Sequence, residues 1–281
     1  MILRTSQRDL FVDKPLLMGI CNVTLDSFSD GGEAFSAVDA VRRAERLIDE
    51  GADIIDIGGE STRPGSERVS EAEEIGRIIP VIEKLIASGC EVPISVDTSK
   101  AAVATAALES GAEIVNDISG LRFDPTVADV AAAKGAGLVL MHSRGEFSEM
   151  HSQAPVADIF AEVENGLRES IQNAVSRGVV LDKIVLDVGI GFGKTVEQNL
   201  SLIANLARII EKFEGFPMLV GASRKSFIGK LCNEPDAGKR VGGSLAAAIA
   251  AVKNGAKIIR VHDVLETRQA LTAAQALGLL E

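Results

Sequence analysis

Four stretches of the chain share one local pattern: Gly51-Ala52-Asp53-Ile54-Ile55, Gly111-Ala112-Glu113-Ile114-Val115, Gly135-Ala136-Gly137-Leu138-Val139 and Gly255-Ala256-Lys257-Ile258-Ile259. In each, a helix-like stretch ends at a glycine, the residue that takes a left-handed cap at least cost. A short apolar, β-branched run follows, as in a buried parallel strand. The remaining apolar runs extend this to eight candidate strands, at about 16–22, 52–58, 93–97, 113–118, 137–142, 184–188, 217–222 and 257–262. Helical patterns fill the intervals, among them 37–50, 71–88 and 155–176. Strict alternation of strand and helix implies a parallel sheet, and eight units imply closure into a (β/α)8 barrel, the TIM-barrel form of the α/β class. An open, doubly wound sheet is the rival arrangement. No linker or shift of composition divides the chain, so residues 1–281 read as a single domain.

Composition narrows the function. The chain is 46% hydrophobic, enough for a large core. No apolar run reaches the roughly 18 residues of a membrane span, and Met1 to Leu10 carries Arg4, Arg8 and Asp9, unlike a signal peptide. Cys21, Cys90 and Cys232 are widely separated and show no CxxC spacing; they are expected to be packing residues in a reducing cytoplasm. A net charge of -11 argues against nucleic acid as a partner. An anionic substrate would need basic residues gathered locally.

In barrels of this kind chemistry collects where strands end. The predicted strands finish on Asn22, Asp56, Asp97, Asn116-Asp117, His142, Asp187, Ser223 to Lys225, and Arg260 with His262. Singly, each could merely mark the passage from strand to loop. Together they read as a site. Asp97 and Asp187 close apolar strands, where a buried carboxylate needs a partner. A ligand edge with guanidine-like N–H groups would serve, and the Asn116 amide could read the adjoining acceptors. The loops after the seventh and eighth strands are the recurrent phosphate-binding place, and they carry Lys225, Arg260 and His262. Arg260 pairing with a barrel carboxylate is the structural alternative.

Gly189-Ile190-Gly191-Phe192-Gly193-Lys194-Thr195 looks like a phosphate loop, but Val188 stands where a Walker A motif needs glycine. Close approach of backbone to a flat ligand explains these glycines equally well, and Lys194 is expected to be solvated. Gly31-Gly32 and Gly58-Gly59 are expected to serve turns and loop mobility. Metal-binding signatures are thin: Asn22 could give one oxygen to Mg2+, which takes its other ligands from water and substrate phosphates. His151 and Glu149 lie in a polar stretch and read as surface.

In order along the chain, the run from Asn22 to Gly32, the run from Asp56 to Gly65, Ser95-Val96-Asp97-Thr98, Val115 to Gly120, Leu140-Met141-His142, Asp187 to Lys194, Ser223 to Gly229 and Arg260-Val261-His262-Asp263 resemble the motifs of dihydropteroate synthases. The resemblance implies condensation of a dihydropterin pyrophosphate with 4-aminobenzoate. It implies that Asp97, Asn116, Asp187 and Lys225 hold the pterin, with Met141 and Phe192 flanking it. Asn22 would bind Mg2+, and Arg260 and His262 the pyrophosphate. Thr62, Arg63, Pro64, Phe28, Asp30 and Ser226 would shape the aminobenzoate site. It further implies a sulfonamide target, a homodimer and a cytoplasmic enzyme. Leu25 and Val188 depart from the family, which commonly has proline there, and could loosen the two loops. A pterin-barrel methyltransferase with a corrinoid partner, a non-catalytic pterin-binding paralogue and a Schiff-base aldolase are the rivals. No lysine ends the sixth strand, as the aldolase would require.

Overall fold

The four repeated glycines all adopt positive φ, from 64° at Gly135 to 110° at Gly111, so each turns the chain from a helix into the strand that follows. The computed structural model describes residues 1–23, 37–62, 65–150 and 153–280. It opens with two three-residue strands, β1 (Ile2–Arg4) and β2 (Asp9–Phe11), which pair antiparallel. Eight strands then alternate with helices: β3 (Leu16–Asn22), β4 (Ile54–Gly58), β5 (Ile94–Asp97), β6 (Ile114–Asp117), β7 (Gly137–Met141), β8 (Ile184–Asp187), β9 (Met218–Val220) and β10 (Ile258–Val261). All eight run parallel in a closed barrel, and β10 pairs with β3 to complete the ring. The expected barrel and its eight strands are therefore present, and the open sheet is excluded. The expected helices at 37–50, 71–88 and 155–176 appear as α1 (Ala37–Asp49), α2 (Glu71–Ala87) and the helix Ile159–Ser176.

Alternation along the strands sorts side chains into those facing the barrel interior and those under the helices. The interior is layered. Its floor is apolar: Met18, Ile54, Ile114, Val139, Val185, Leu219 and Ile258, all at most 1% exposed. Leu3 from the β1–β2 hairpin packs into the same cluster and stops the barrel at its N-terminal end. Thr5 Oγ1 and Arg8 Nη2 fasten this hairpin to the buried Glu113, at 2.6 and 2.7 Å. The hairpin escaped sequence reading because neither strand is long enough to show a period.

Two residues farther along the strands the interior turns polar. That holds for β4, β6, β8 and β10, which place Asp56, Asn116, Asp187 and Arg260 there, whereas β3, β7 and β9 place Ile20, Met141 and Gly221; Ser95 joins the layer from β5, and Asn22 and Asp97 come one step higher. The larger core lies outside the barrel, where α2 contributes Ile78, Val81, Ile82 and Leu85. Val188 is fully buried in that core. Leu25, Gly31, Gly32 and His151 lie outside the described residues.

Candidate functional site

The polar layer forms the base of a cavity of about 460 Å³ at the C-terminal ends of the strands. Asn22, Thr62, Asp97, Phe192, Lys225, Ser226, Arg260 and His262 all line it, so the structure brings most of the expected site together. Asn116 and Asp187 lie just beneath, at 3% and 5% exposure. Phe28, Asp30, Arg63 and Pro64 lie outside the described residues.

Arg260 organises the base. Its Nε donates to Asp56 Oδ2 and its Nη2 to Asp97 Oδ2, both at 2.6 Å. The pairing held open by sequence reading is thus the one that forms, and two of the guanidinium's five N–H groups are committed to it. The remainder can reach a ligand. Asp56 also accepts from Asn116 Nδ2 at 2.9 Å. Sequence reading had placed Asp56 at a strand end without giving it a role; a lone carboxylate facing inward from an apolar strand was the available signal. Burial pushes the Asp97 carboxyl up to about 7 against the pull of Arg260, with Asp56 adding to the rise. Arg260 is itself penalised by burial, yet Asp56 and Asp97 hold its charge more firmly than usual.

Asp187 and Lys225 act on each other through their charges, without an ion pair between them. Burial raises Asp187 and lowers Lys225 to about 8, and the opposite charge of each opposes both shifts. Lys225 Nζ donates to the Ile190 carbonyl and sits 4.3 Å from the centre of the Phe192 ring. Phe192 belongs with Met141, Ile118, Phe147 and Met150 to a small apolar cluster. A Cβ on Gly191 would come within 2.8 Å of Lys225 Cδ, and φ there is +87°. This glycine therefore gives passage to the lysine.

Lys194 corrects the expectation that it is solvated. Its Nζ donates to the carbonyls of Gly189 and Phe192, at 2.8 and 3.0 Å, and lies 3.0 Å from His142 Nδ1. Burial pushes it down to about 7. It ties the loop after β8 to the end of β7. Gly58 and Gly59 also serve packing and not mobility. A Cβ on Gly58 would stand 3.3 Å from Asp97 Cβ and 3.7 Å from Asn22 Oδ1, and one on Gly59 would meet Ile78 at 2.9 Å. Cys21 is buried as a packing residue, whereas Cys232 is exposed at the end of the helix Ser226–Cys232 and is not one.

On the opposite wall His262 Nδ1 lies 3.0 Å from Ser223 Oγ, which also accepts from the His262 backbone N–H at 3.2 Å. The Ser223 hydroxyl can donate to Nδ1 or accept from it, and where it donates the ring proton stands on Nε2. Arg240 and Glu60 line the cavity without having been foreseen. Arg240 Nη1 donates to the carbonyl of Arg224, a residue held at φ 59°, and so fixes the turn that presents Lys225. Glu60 is bonded by Lys100 Nζ at 2.7 Å, and the same ammonium reaches Glu74 at 2.6 Å. These contacts depend on register and loop course, which no local pattern reveals. Among the described residues no group of three His, Cys, Asp or Glu side chains is disposed to hold a metal. Asn22 offers a single neutral oxygen at the cavity wall, a donor set that fits an ion keeping most of its waters.

Comparison with known proteins agrees with this geometry. The family model for pterin binding enzymes matches residues 18–262. A dihydropteroate synthase of Synechocystis sp. is 47% identical over 261 residues, 93% of this chain and 89% of its own. The solved structure of Xanthomonas albilineans dihydropteroate synthase with 4-aminobenzoic acid superposes with a TM-score of 0.92 at 43% identity, covering 100% of this chain and 99% of that one. A structure of the Xanthomonas albilineans enzyme in complex with 7,8-dihydropteroate gives 0.89 at 41% identity, over the whole of both chains. By these relatives and the family model over residues 18–262, the chain belongs to the dihydropteroate synthase family of pterin-binding enzymes.

Proposed function

We propose that the protein joins a dihydropterin pyrophosphate to 4-aminobenzoate, giving 7,8-dihydropteroate and releasing pyrophosphate. The observation that carries this reading is the charge of the polar layer: three carboxylates, the buried Asp56 and Asp187 and the partly exposed Asp97, face two cations, Arg260 and Lys225. With all five ionised, a net negative charge lies under the cavity, suited to a ligand that becomes cationic as it reacts. Departure of pyrophosphate leaves positive charge on the exocyclic methylene carbon and in the ring conjugated to it. Asp97 and Asp187 favour that charge, and preorganised groups of this kind are typically worth about 3–4 kcal/mol each in the transition state.

The pterin lies over the layer, its guanidine-like edge toward Asp187 and Asn116, with Phe192 and Met141 beside it. Lys225 and the remaining N–H groups of Arg260 meet acceptors on the ring. His262 Nε2–H points to the leaving pyrophosphate, and Arg260 adds positive charge on the same side. Asn22 would hold Mg2+, which supplies charge neutralisation to the departing phosphates. Aminobenzoate enters beside Thr62 and Ser226, with Arg63, Pro64, Phe28 and Asp30 completing its site. Its weakly basic amine needs no strong base.

The enzyme works as a homodimer in the cytoplasm on this reading; no described helix is long and apolar enough to cross a membrane. The relevant assay mixes purified protein, dihydropterin pyrophosphate, 4-aminobenzoate and Mg2+ and follows dihydropteroate and pyrophosphate together. Pterin binding without either product would overturn the reading. Chelation should stop turnover and leave the unfolding midpoint of the unliganded protein where it was.

A further inference from the structure

Asp56 is wholly buried, and the reading above gives it no contact with the substrate. It nevertheless joins two residues that do the recognising. Its Oδ2 accepts from Arg260 Nε on β10 and from Asn116 Nδ2 on β6. A carboxylate only accepts hydrogen bonds, whereas an amide has a donor end and an acceptor end. Turned over, Asn116 would set its own oxygen against a carboxylate oxygen with no proton between them. The contact therefore dictates which way round the amide stands. It leaves Asn116 with its acceptor, Oδ1, and one N–H to offer. The same carboxylate, with Asp97, fixes the plane of the Arg260 guanidinium at two points.

We propose that Asp56 is a positioning and specificity-determining residue: it sets the polarity of the Asn116 amide, and so makes the pocket select a pterin edge that presents an N–H to Asn116. The inference rests on the synthase reading for its ligand and on the Asp56 hydrogen bonds for its geometry. Asp56→Asn keeps the size of the side chain and removes the constraint, because an amide at 56 can accept from or donate to Asn116. Losing the fixed polarity should weaken pterin binding by roughly ten- to a hundredfold, the range that one mismatched buried hydrogen bond commands.

The test is a double-mutant cycle. Affinity for 6-hydroxymethylpterin and the KM for 4-aminobenzoate are measured in the wild type, Asp56→Asn, Asn116→Ala and the double variant. We expect pterin affinity to fall in Asp56→Asn while the aminobenzoate KM stays within twofold, and most of the loss to vanish in the Asn116→Ala background. Unchanged pterin affinity, or an equal loss in both backgrounds, overturns the proposal. A ligand-independent readout accompanies it: in 15N-resolved NMR the Asn116 Nδ2 proton held by Asp56 should exchange slowly in the wild type and at least tenfold faster in Asp56→Asn. If the wild type neither binds the pterin nor forms product, the synthase reading fails. The exchange measurement then decides Asp56 by itself, equal rates counting against it.

Discussion

Asp97 serves two purposes that pull in opposite directions. As a carboxylate it favours positive charge on the bound ring, yet burial, with Asp56 nearby, holds its carboxyl up to about 7 despite Arg260. Catalytic competence should therefore grow as pH rises through about 7 and the carboxylate forms. Stability should move the other way. A carboxyl whose folded pKa lies above its ordinary 3.8 keeps its proton in the folded state where the unfolded chain has released it. That contribution is complete below about 4 and is lost as pH climbs through 7. Asp97→Asn should flatten the acid limb of a kcat/KM profile, lower turnover by about 10^2 to 10^3 and remove its share of the pH dependence of unfolding; a limb that survives assigns the titration elsewhere. Arg260 is the counterpart. Replacing it by Met leaves Asp56 and Asp97 facing each other without a cation, a change that typically costs about 3–5 kcal/mol in a buried network. Thermal unfolding near pH 8 is the suitable measurement, since protonation would mask the effect in acid. Both residues could be placed in the site from sequence, because a charged residue closing an apolar strand is conspicuous. Their partnership could not, because the bond from Arg260 to Asp56 spans 204 residues and depends on barrel register.

The elements that carry the site divide by how much of their shape is local. Strands β3 to β10 were legible because each is an apolar run set off by a cap or turn, and the barrel followed from counting them. The loops were not, since their course is set by single contacts reaching across the structure. The loop after β8 depends on Gly189, where φ is +67° and a Cβ would fall 1.9 Å from the His142 carbonyl oxygen. Gly189→Ala must displace the β7 end or the loop itself, with a cost expected above about 3 kcal/mol and visible in the denaturant midpoint. The loop after β4 depends on Lys100, whose ammonium joins Glu60 at the loop's start to Glu74 on α2. Burial raises the Glu74 carboxyl, and Lys100 opposes that rise. Lys100→Met should destabilise the fold and raise the aminobenzoate KM more than the pterin KM, because Glu60 leads directly into Ser61 and Thr62 on the cavity wall. Equal effects on the two constants would detach this network from the aminobenzoate side.

Over the whole molecule, chemistry and stability occupy opposite ends of the barrel. The apolar floor and the Leu3 plug lie at the N-terminal end of the strands, and the cavity lies at the other. Leu3→Ala should then cost about 2–5 kcal/mol, as truncations of buried leucines do, while kcat and both KM values measured well below the melting temperature stay near wild type. A parallel change in KM would mean that the floor transmits strain to the polar layer.

Closure of the ring between β10 and β3 also carries a consequence for the order of synthesis. Asp56 and Asp97 leave the ribosome 204 and 163 residues before the arginine that neutralises them. Until that arginine arrives, a partial barrel can bury neither carboxylate as an ion without a large solvation penalty. The guanidinium that partners both carboxylates is supplied by the last strand, so their shared counter-ion enters the barrel only when the ring closes.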